Sequence, residues 1–307
     1  MTLSRSHHYR FEEIEDGVHA GIARREGDAI CNSGLVDLGD STLVFDTGLS
    51  PRSADELVSE VARQFGHPKS LVANSHWHLD HTLGNPRFPG VPIFGTRRTR
   101  EILLEKHDAL MAELTREGIE KDLRALEARQ QTNLSEGART DVELYLRINR
   151  SLLADLGQLR LVPPDHPFET RLELPGSRPA ELLSFGSGHT EADALLFLPK
   201  EKVIFAGDLV IVGLQPSIGS GDPHHWLVVL DEMERLGAER IVPGHGPVIP
   251  SAGIAEIRSY LAAILEAADG PVGAPLPPAI RRWEGSPGLE ENLRFARSLA
   301  PAADHRG

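Results

Sequence analysis

The segment of residues 76–81, with the sequence HWHLDH, carries side chains that could bind metal ions. His76, His78, Asp80 and His81 place three imidazoles and one carboxylate within six residues. Neutral imidazole suits zinc and iron, and a carboxylate supplies the negative charge that a divalent cation favours. Because an apolar run typical of a β-strand precedes the segment, we expect a strand to end there and to bring these groups into one small volume.

Three further residues of ligand type follow apolar runs later in the chain. His189, Asp208 and His245 each come directly after a glycine, which lets the backbone turn sharply at the end of a strand. A single Gly-His or Gly-Asp step is more typical of a structural turn, and a histidine-rich surface loop is the simplest alternative for 76–81. Four strand ends that together hold five histidines and two aspartates instead predict one shared metal centre.

The order and types of these seven residues resemble the metallo-β-lactamase superfamily of hydrolases, over roughly residues 17–265. Shorter segments match the family pattern as well. They are VFDTG at 44–48, Gly84 and Asn85 with Phe88, GHT at 188–190, and PGHGP at 243–247. The resemblance implies an α/β fold, a four-layer αβ/βα sandwich with the metal centre at one edge between two sheets. The alternation of strand and helix patterns by itself indicates only sheets covered by helices.

The family pattern also implies a role for each candidate residue. The first metal would be held by His76, His78 and His189, the second by Asp80, His81 and His245, and Asp208 would bridge the two. Three protein ligands leave each ion an open position for water, as in catalytic sites. Asp80 would also be catalytic, because it could hydrogen-bond the nucleophile and carry its proton. Asp46 is either an acceptor for a ligand imidazole or a turn residue at the end of a hairpin.

The resemblance implies a dinuclear metal-dependent hydrolase. A hydroxide held between two divalent ions would attack an ester, lactone, thioester or amide-type bond of a small-molecule substrate. We expect Zn2+ ions, with iron or manganese as alternatives. Two other classes stay open: a mononuclear iron or di-iron oxidoreductase on the same fold, and a non-enzymatic scaffold. The complete ligand set favours the dinuclear hydrolase over both.

Two positions bear on which branch of the family the chain resembles. Zinc β-lactamases of the family lack an acidic bridging ligand, so Asp208 argues against β-lactamase-like activity, which we keep as an alternative. Ile211 stands where the family's lactonases carry a tyrosine, three residues beyond the bridging aspartate. The basic residues that glyoxalase-type thioesterases use for glutathione have no convincing match around Arg281 and Arg282.

Composition excludes several classes of partner. The chain has 307 residues and a formal net charge of −13, which argues against nucleic acid and anionic membrane surfaces. No apolar run approaches the roughly 18 residues of a membrane span, and the first 13 residues do not resemble a signal peptide. We therefore predict a cytoplasmic protein. Its single cysteine, Cys31, excludes a disulfide within the chain and is predicted to be a small buried side chain.

Local patterns predict the elements that position the site. Residues 29–37 and 41–46 are typical of a hairpin with its turn at Gly39-Asp40. Helices are predicted at 53–64, 223–236 and 251–268, and one strand at 168–174. Outside the seven candidate ligands, His7 and His8 are expected to be disordered, His107 to be solvated in a helix, and His224 and His225 to cap a helix start or line the substrate entrance.

Residues 96–161 interrupt the strand pattern with leucines at helical spacing, which predicts a helical insertion of two or three helices. It could cap the active site, form a homodimer surface, do both, or only extend the scaffold. A Pro- and Gly-rich stretch at 270–278 then separates a tail. We therefore divide the chain into a metallo-hydrolase domain at 1–270 and a C-terminal tail at 271–307 that docks on it.

Overall fold

The computed structural model describes residues 6–66, 70–134, 136–284 and 287–299. In these residues two β-sheets pack face to face, and helices cover both outer surfaces. The first sheet has the strand order β1-β2-β3-β4-β5-β6-β7. Its strands are β1 Tyr9–Glu15, β2 Val18–Ala23, β3 Ser33–Asp37, β4 Thr42–Phe45, β5 Ser70–Ala73, β6 Ile93–Thr96 and β7 His166–Phe168.

The second sheet continues the chain and lies against the first. Its strands are β8 Arg171–Glu173, β9 Glu181–Leu183, β10 Leu195–Leu198, β11 Val203–Phe205, β12 Arg240–Val242 and β13 Ile249–Pro250. They are arranged in the order β13-β12-β11-β10-β9-β8. β10 is antiparallel to both β9 and β11, and β11 is parallel to β12. Therefore β9, β11 and β12 run in one direction, and their carboxyl ends lie at the same edge of the sheet.

The helices lie outside the two sheets, between strands and after them. They are α1 Pro51–Gln64, α2 Leu79–Thr82, α3 Arg97–Glu105, α4 His107–Glu113, α5 Arg116–Gln130, α6 Glu136–Ala154, α7 Pro223–Arg235, α8 Ile254–Asp269, α9 Pro278–Arg281 and α10 Pro287–Leu299. In the described part of the chain, none of them is long and apolar enough to cross a membrane.

Successive side chains of a strand point to opposite faces of its sheet, and this alternation separates the inner core from the outer layers. Leu43 and Phe45 of β4 face the core between the sheets, whereas Val44 packs under α1. On β11, Phe205 points into the same inner core and Ile204 points outward to α7 and α8. The rings of Phe45 and Phe205 meet across the sheets with centroids 6.2 Å apart. Each strand next to the site is thus buried on both faces, which confirms the α/β sandwich.

Several local predictions are confirmed with shifted boundaries. The hairpin is present as β3 and β4, and Gly39 in its turn has a φ of 106°. Its first strand starts at Ser33, four residues later than predicted, because Ile30 adopts a φ of 63° that no strand continues through. α7 begins as predicted, with Asp222 accepting the backbone N–H groups of two following residues.

Two predictions near the ends of the first sheet are wrong. The single strand predicted at 168–174 is two strands, β7 and β8, which belong to different sheets and are separated by a bend. His8 was expected to be disordered but is buried, and its Nδ1 accepts a hydrogen bond from the backbone N–H of Asp28 at 3.0 Å. That bond and the burial fix the chain where β1 begins.

The predicted insertion is helical and consists of α3 to α6, more helices than expected. Ile102 and Leu103 of α3 pack with Trp77, which lies between two candidate ligands. Ile148 and Leu152 of α6 are buried in another cluster with Leu83, which directly follows α2, and Leu79 of the HWHLDH segment packs against it. The insertion therefore packs against the HWHLDH segment, on the same edge of the sandwich.

The C-terminal helices pack on the outer face of the second sheet. Leu289 and Leu293 of α10 are buried in one cluster with Leu261 and Ile264 of α8, and Ile280 of α9 joins them. The division into a domain at 1–270 and a tail at 271–307 stays a prediction, as does a homodimer.

Candidate metal centre

Sharp turns at the strand ends bring the candidate residues together. The turn from β11 to Asp208 passes through Gly207, whose φ is 52°. The turn from β12 to His245 passes through Gly244, where a Cβ atom would lie 1.9 Å from Asp208 Oδ1. Any side chain at position 244 would therefore displace that carboxylate. The glycines that marked these turns in the sequence are required by close approach as well as by conformation.

All seven candidate residues lie at this one edge, in two groups of ligand atoms. The first group is His76, His78, His189 and Asp208, and the second is Asp80, His81 and His245. Within each group the ligand atoms are no more than 4.8 Å apart. In the first group, His78 Nδ1 lies 3.0 Å from the Nε2 atoms of both His76 and His189. In the second, Asp80 Oδ2 lies 3.5 Å from His81 Nε2 and 3.4 Å from His245 Nε2.

Asp208 connects the two groups through its two carboxylate oxygens. Its Oδ2 lies 3.4 Å from His189 Nε2 in the first group. Its Oδ1 lies 3.2 Å from His81 Nε2 and 3.3 Å from His245 Nε2 in the second. The carboxylate is almost fully buried, so it is fixed between the groups.

Each candidate imidazole is oriented by a contact at its other ring nitrogen. The contacts are His76 Nδ1 to Ser75 Oγ at 2.9 Å, His78 Nε2 to Ser220 Oγ at 3.3 Å, His81 Nδ1 to Asp46 Oδ2 at 2.8 Å, His189 Nδ1 to Ser217 O at 3.0 Å, and His245 Nδ1 to Ile30 O at 3.2 Å. Such contacts fix the tautomer and leave the facing nitrogen free to ligate.

Asp46 makes more contacts with the centre than the sequence suggested. It is buried directly after β4, with a φ of 61°. Its Oδ1 accepts the backbone N–H of Ser75 at 2.7 Å, and its Oδ2 accepts both Ser75 Oγ at 2.7 Å and His81 Nδ1 at 2.8 Å. Of the two interpretations left open for this residue, the structure shows the acceptor, at a position that is also a turn.

Burial and charge set the protonation states of these groups. Burial, with the neighbouring His189, lowers the pKa of His78 to about 3, so this imidazole is neutral, the form that ligates. Burial by itself lowers the pKa of His245 as well, but Asp208 and Asp80 outweigh it and raise that pKa to about 10. The two carboxylates therefore favour positive charge at the second group, which a bound cation would supply.

Two buried atoms test whether a metal fits. His81 Nε2 and Asp208 Oδ1 lie 3.2 Å apart but are not aligned for a hydrogen bond, and neither finds another partner among the described residues. Buried polar atoms without partners are costly and rare, and they usually mark an ion or a catalytic role. A divalent cation between these atoms would satisfy both. The imidazole and carboxylate donors fit such an ion.

A segment that sequence reasoning missed supports the second group. Residues 25–32, named the strap here, run between β2 and β3. Beside the Ile30 carbonyl that orients His245, the buried Cys31 thiol donates to the Asp80 carbonyl at 2.8 Å. The side-chain N–H of Asn32 donates to the carbonyls of Pro243 and Gly246, both at 2.8 Å. Most of these contacts use backbone carbonyls, which every residue has. The residue types in the strap therefore did not reveal its role.

The remaining predicted histidines lie away from the two groups. His107 and His224 are exposed on α4 and α7. His225 is half-buried, and its Nδ1 binds the carbonyl of Ser187 at 2.7 Å.

Burial raises the pKa of the Cys31 thiol to about 12, so it stays a protonated donor and no nucleophile.

Comparison with known proteins gives a family match across most of the chain. The family description "Metallo-beta-lactamase superfamily" matches residues 27–245. A curated relative, "Beta-lactamase-like protein 2 homolog" of Caenorhabditis elegans, is 37% identical over 79 residues. That match covers 24% of this chain and 24% of the relative, so the chain spans about a quarter of that protein's length.

Solved structures with the same fold are more distant in sequence. A metallo-beta-lactamase from Pontibacter korlensis is 18% identical, with a TM-score of 0.59, over 83% of this chain and 99% of that one. The metallo-beta-lactamase FIM-1 from Pseudomonas aeruginosa, solved in a mono-zinc form, is 17% identical, with a TM-score of 0.57, over 83% and 95%. At this identity the likeness establishes the fold alone.

Asp46→Asn tests the support for His81. The amide keeps the size of the side chain and tolerates the positive φ, but it removes the charge that orients the imidazole. We expect Zn2+ affinity at the second group to fall about 10- to 100-fold, the usual cost of losing such a partner. Competition with a chromophoric chelator measures this affinity.

The matched control is Asp155→Asn, which changes a buried carboxylate paired with Arg52 outside the metal centre. Its Zn2+ affinity should stay at the wild-type value. Equal affinities in the wild type and Asp46→Asn would show that Asp46 only forms a turn.

Proposed function

The chain belongs to the metallo-beta-lactamase superfamily, and on that premise we propose that it is a dinuclear metal-dependent hydrolase acting on a small molecule. Members of this superfamily are mostly metal-dependent hydrolases, and the clusters of histidine and aspartate indicate divalent metal. The finer proposal is that two ions are held, one by each group, with Asp208 shared between them.

The observation that carries this proposal is the position of the Asp208 carboxylate. Its two oxygens face different groups, and the oxygen toward the second group is buried without a hydrogen-bond partner in the described residues. A carboxylate that binds a single ion would need to face only one of the two groups. The absence of a second anion between the groups, within the described chain, leaves Asp208 as the group that would keep two cations close.

When bound, such a metal pair supplies a water of lowered pKa as the nucleophile and a Lewis acid for the substrate oxygen. The chain supplies orientation and proton transfer. Imidazoles that would ligate an ion through one nitrogen and are held at the other cannot take up the water's proton, whereas an ionised carboxylate can.

Asp80 is the proposed proton acceptor. Of the second group it is the most exposed member, with 21% of its side chain accessible against 11% for His245 and none for His81. His81 and His245 outweigh the effect of burial and hold its pKa well below the usual range, so it is ionised. An ionised oxygen on the open side of the centre can ligate, accept a proton and pass it to the leaving group.

We propose Zn2+ as the metal, since histidine nitrogen with aspartate oxygen is a ligand set typical of catalytic zinc, with iron or manganese as alternatives. The bond cleaved would be an ester, lactone, thioester or amide-type bond. The acidic residue at position 208 favours this range over β-lactam hydrolysis, because the family's zinc β-lactamases lack it. The oxidoreductase uses of the fold would replace or leave out one of the seven ligands, all of which are present here.

The insertion is proposed to set substrate choice. Leu79 lies between two candidate ligands, and both Leu79 and Met111 of α4 pack against the two apolar clusters of the insertion. Both side chains are partly exposed. An apolar wall beside the metal centre favours a substrate with a hydrophobic acyl part.

Asp208→Ala should lower hydrolysis of any accepted ester, lactone or thioester at least about 100-fold, because the two ions lose their shared ligand. The free energy of unfolding of the metal-free protein should fall far less than activity does, because the substitution leaves the apolar core between the sheets unchanged. Steady-state kinetics and urea unfolding of the metal-free proteins measure the two effects.

The matched control is Asp231→Ala, which removes an aspartate on the surface of α7. It should leave both quantities at the wild-type values. Near wild-type turnover of Asp208→Ala with both metals retained would contradict the bridging role.

The apolar wall predicts a preference for long acyl chains. For p-nitrophenyl esters, kcat/KM should rise by about tenfold from the acetyl to the octanoyl ester, as burial of a few methylene groups allows. Met111→Ala should reduce this ratio, whereas Leu104→Ala, on the exposed side of α3, should not. Equal kcat/KM values for short and long esters in the wild type would end the hydrophobic-substrate proposal and leave the insertion as scaffold or dimer surface.

A further inference from the structure

We propose that Tyr145 of α6 is a substrate-contacting catalytic residue, whose phenol donates a hydrogen bond to an oxygen of the reacting bond at the metal centre. This inference rests on the proposed hydrolase function and adds to it a residue contributed by the insertion.

Polar contacts hold α6 to the strap. Arg147 donates to the carbonyls of Arg25 and Gly27, the latter at 2.9 Å. One turn later, Ser151 Oγ donates to the carboxylate of Asp28 at 2.6 Å. The strap in turn contacts the second group of ligands through the Ile30 carbonyl. The helix and the metal centre are therefore connected through one short, hydrogen-bonded segment.

Helical spacing places Tyr145 on the side of α6 that faces the centre. Ile148 and Leu152, three and seven residues later, are buried with Leu49 and Leu83 beside the HWHLDH segment. Leu79 of the HWHLDH segment packs against the same cluster. Tyr145 lies on this side of α6, one turn nearer the helix start, and 47% of its side chain is exposed. Its ring belongs to none of the apolar clusters in the described chain, so it contributes little to packing.

The charges that act on the phenol agree with this placement. Desolvation, followed by the charges of Asp80, Asp141 and Asp208, raises the pKa of Tyr145. Two of these three carboxylates belong to the metal centre, one from each group. The phenol therefore stays protonated. Among the described residues its hydroxyl has no hydrogen-bond partner.

A protonated donor beside the ions has a direct use in hydrolysis. Negative charge develops on the substrate oxygens as the acyl carbon becomes tetrahedral, and donors aimed at that charge lower the barrier. The phenol carries its proton on a partly exposed side chain. It would hold an oxygen of the reacting bond that the metals leave uncovered, without becoming charged itself.

The test compares Tyr145→Phe with Glu143→Gln, a change on the opposite, exposed side of α6. With the metal-loaded proteins, kcat/KM for an accepted ester should fall about 10- to 100-fold in Tyr145→Phe, with metal content and unfolding temperature unchanged. Calorimetric binding of phenylphosphonate, a tetrahedral anion, should be about tenfold weaker in this variant. Glu143→Gln should match the wild type in every measurement.

The binding measurement separates this inference from the proposed function. If the wild type hydrolyses no ester, lactone or thioester, the proposed function fails, but weaker phenylphosphonate binding by Tyr145→Phe would still support the contact. If the wild type binds phenylphosphonate and Tyr145→Phe binds it within twofold, the inference is overturned, whatever the activity. Failure of the wild-type protein to bind phenylphosphonate overturns it too.

Discussion

The structure depends on placing one carboxylate, that of Asp208, in a buried position between two groups of imidazoles. A charge taken out of water is costly unless opposite charge and hydrogen bonds replace the solvent. Here His81, His189 and His245 surround it, and one oxygen still has no hydrogen-bond partner within the described chain. Gly244 has to be glycine to admit it. The strands β9, β11 and β12 run in one direction, so their carboxyl ends bring three of the ligands to this point.

Support for the centre comes from outside the sheets as well as from the strand ends. Asp46 and Ser75 connect the ends of β4 and β5 to His81, so the first sheet orients a ligand of the second group. The strap orients His245 through the Ile30 carbonyl, and hydrogen bonds from α6 hold the strap in place. The insertion therefore lies beside the centre and is also connected to its ligands by hydrogen bonds. Through both, the helices inserted into the sandwich would influence which substrates bind.

The sequence predicted the fold class and the seven residues that the fold brings together, because ligand types after strands and glycines are visible in residue identity. It could not predict the strap. That segment acts through the Ile30 carbonyl, at a positive φ unusual for a β-branched residue, and through Arg147, more than a hundred residues away. The helix count of the insertion was also missed, since α3, α4 and α5 are separated at Lys106 and Leu114 without proline or glycine. Contacts between parts of the chain that are distant in sequence determine both the position of the strap and the helix boundaries in the insertion.

The central claim is that two ions share one carboxylate, and metal content tests it most directly. Protein purified without added metal, then reconstituted with Zn2+ and freed of excess, should contain about two ions per chain by elemental analysis. Both should be lost to a strong chelator and recovered on adding Zn2+. A content of one ion or fewer per chain after reconstitution would contradict the dinuclear account.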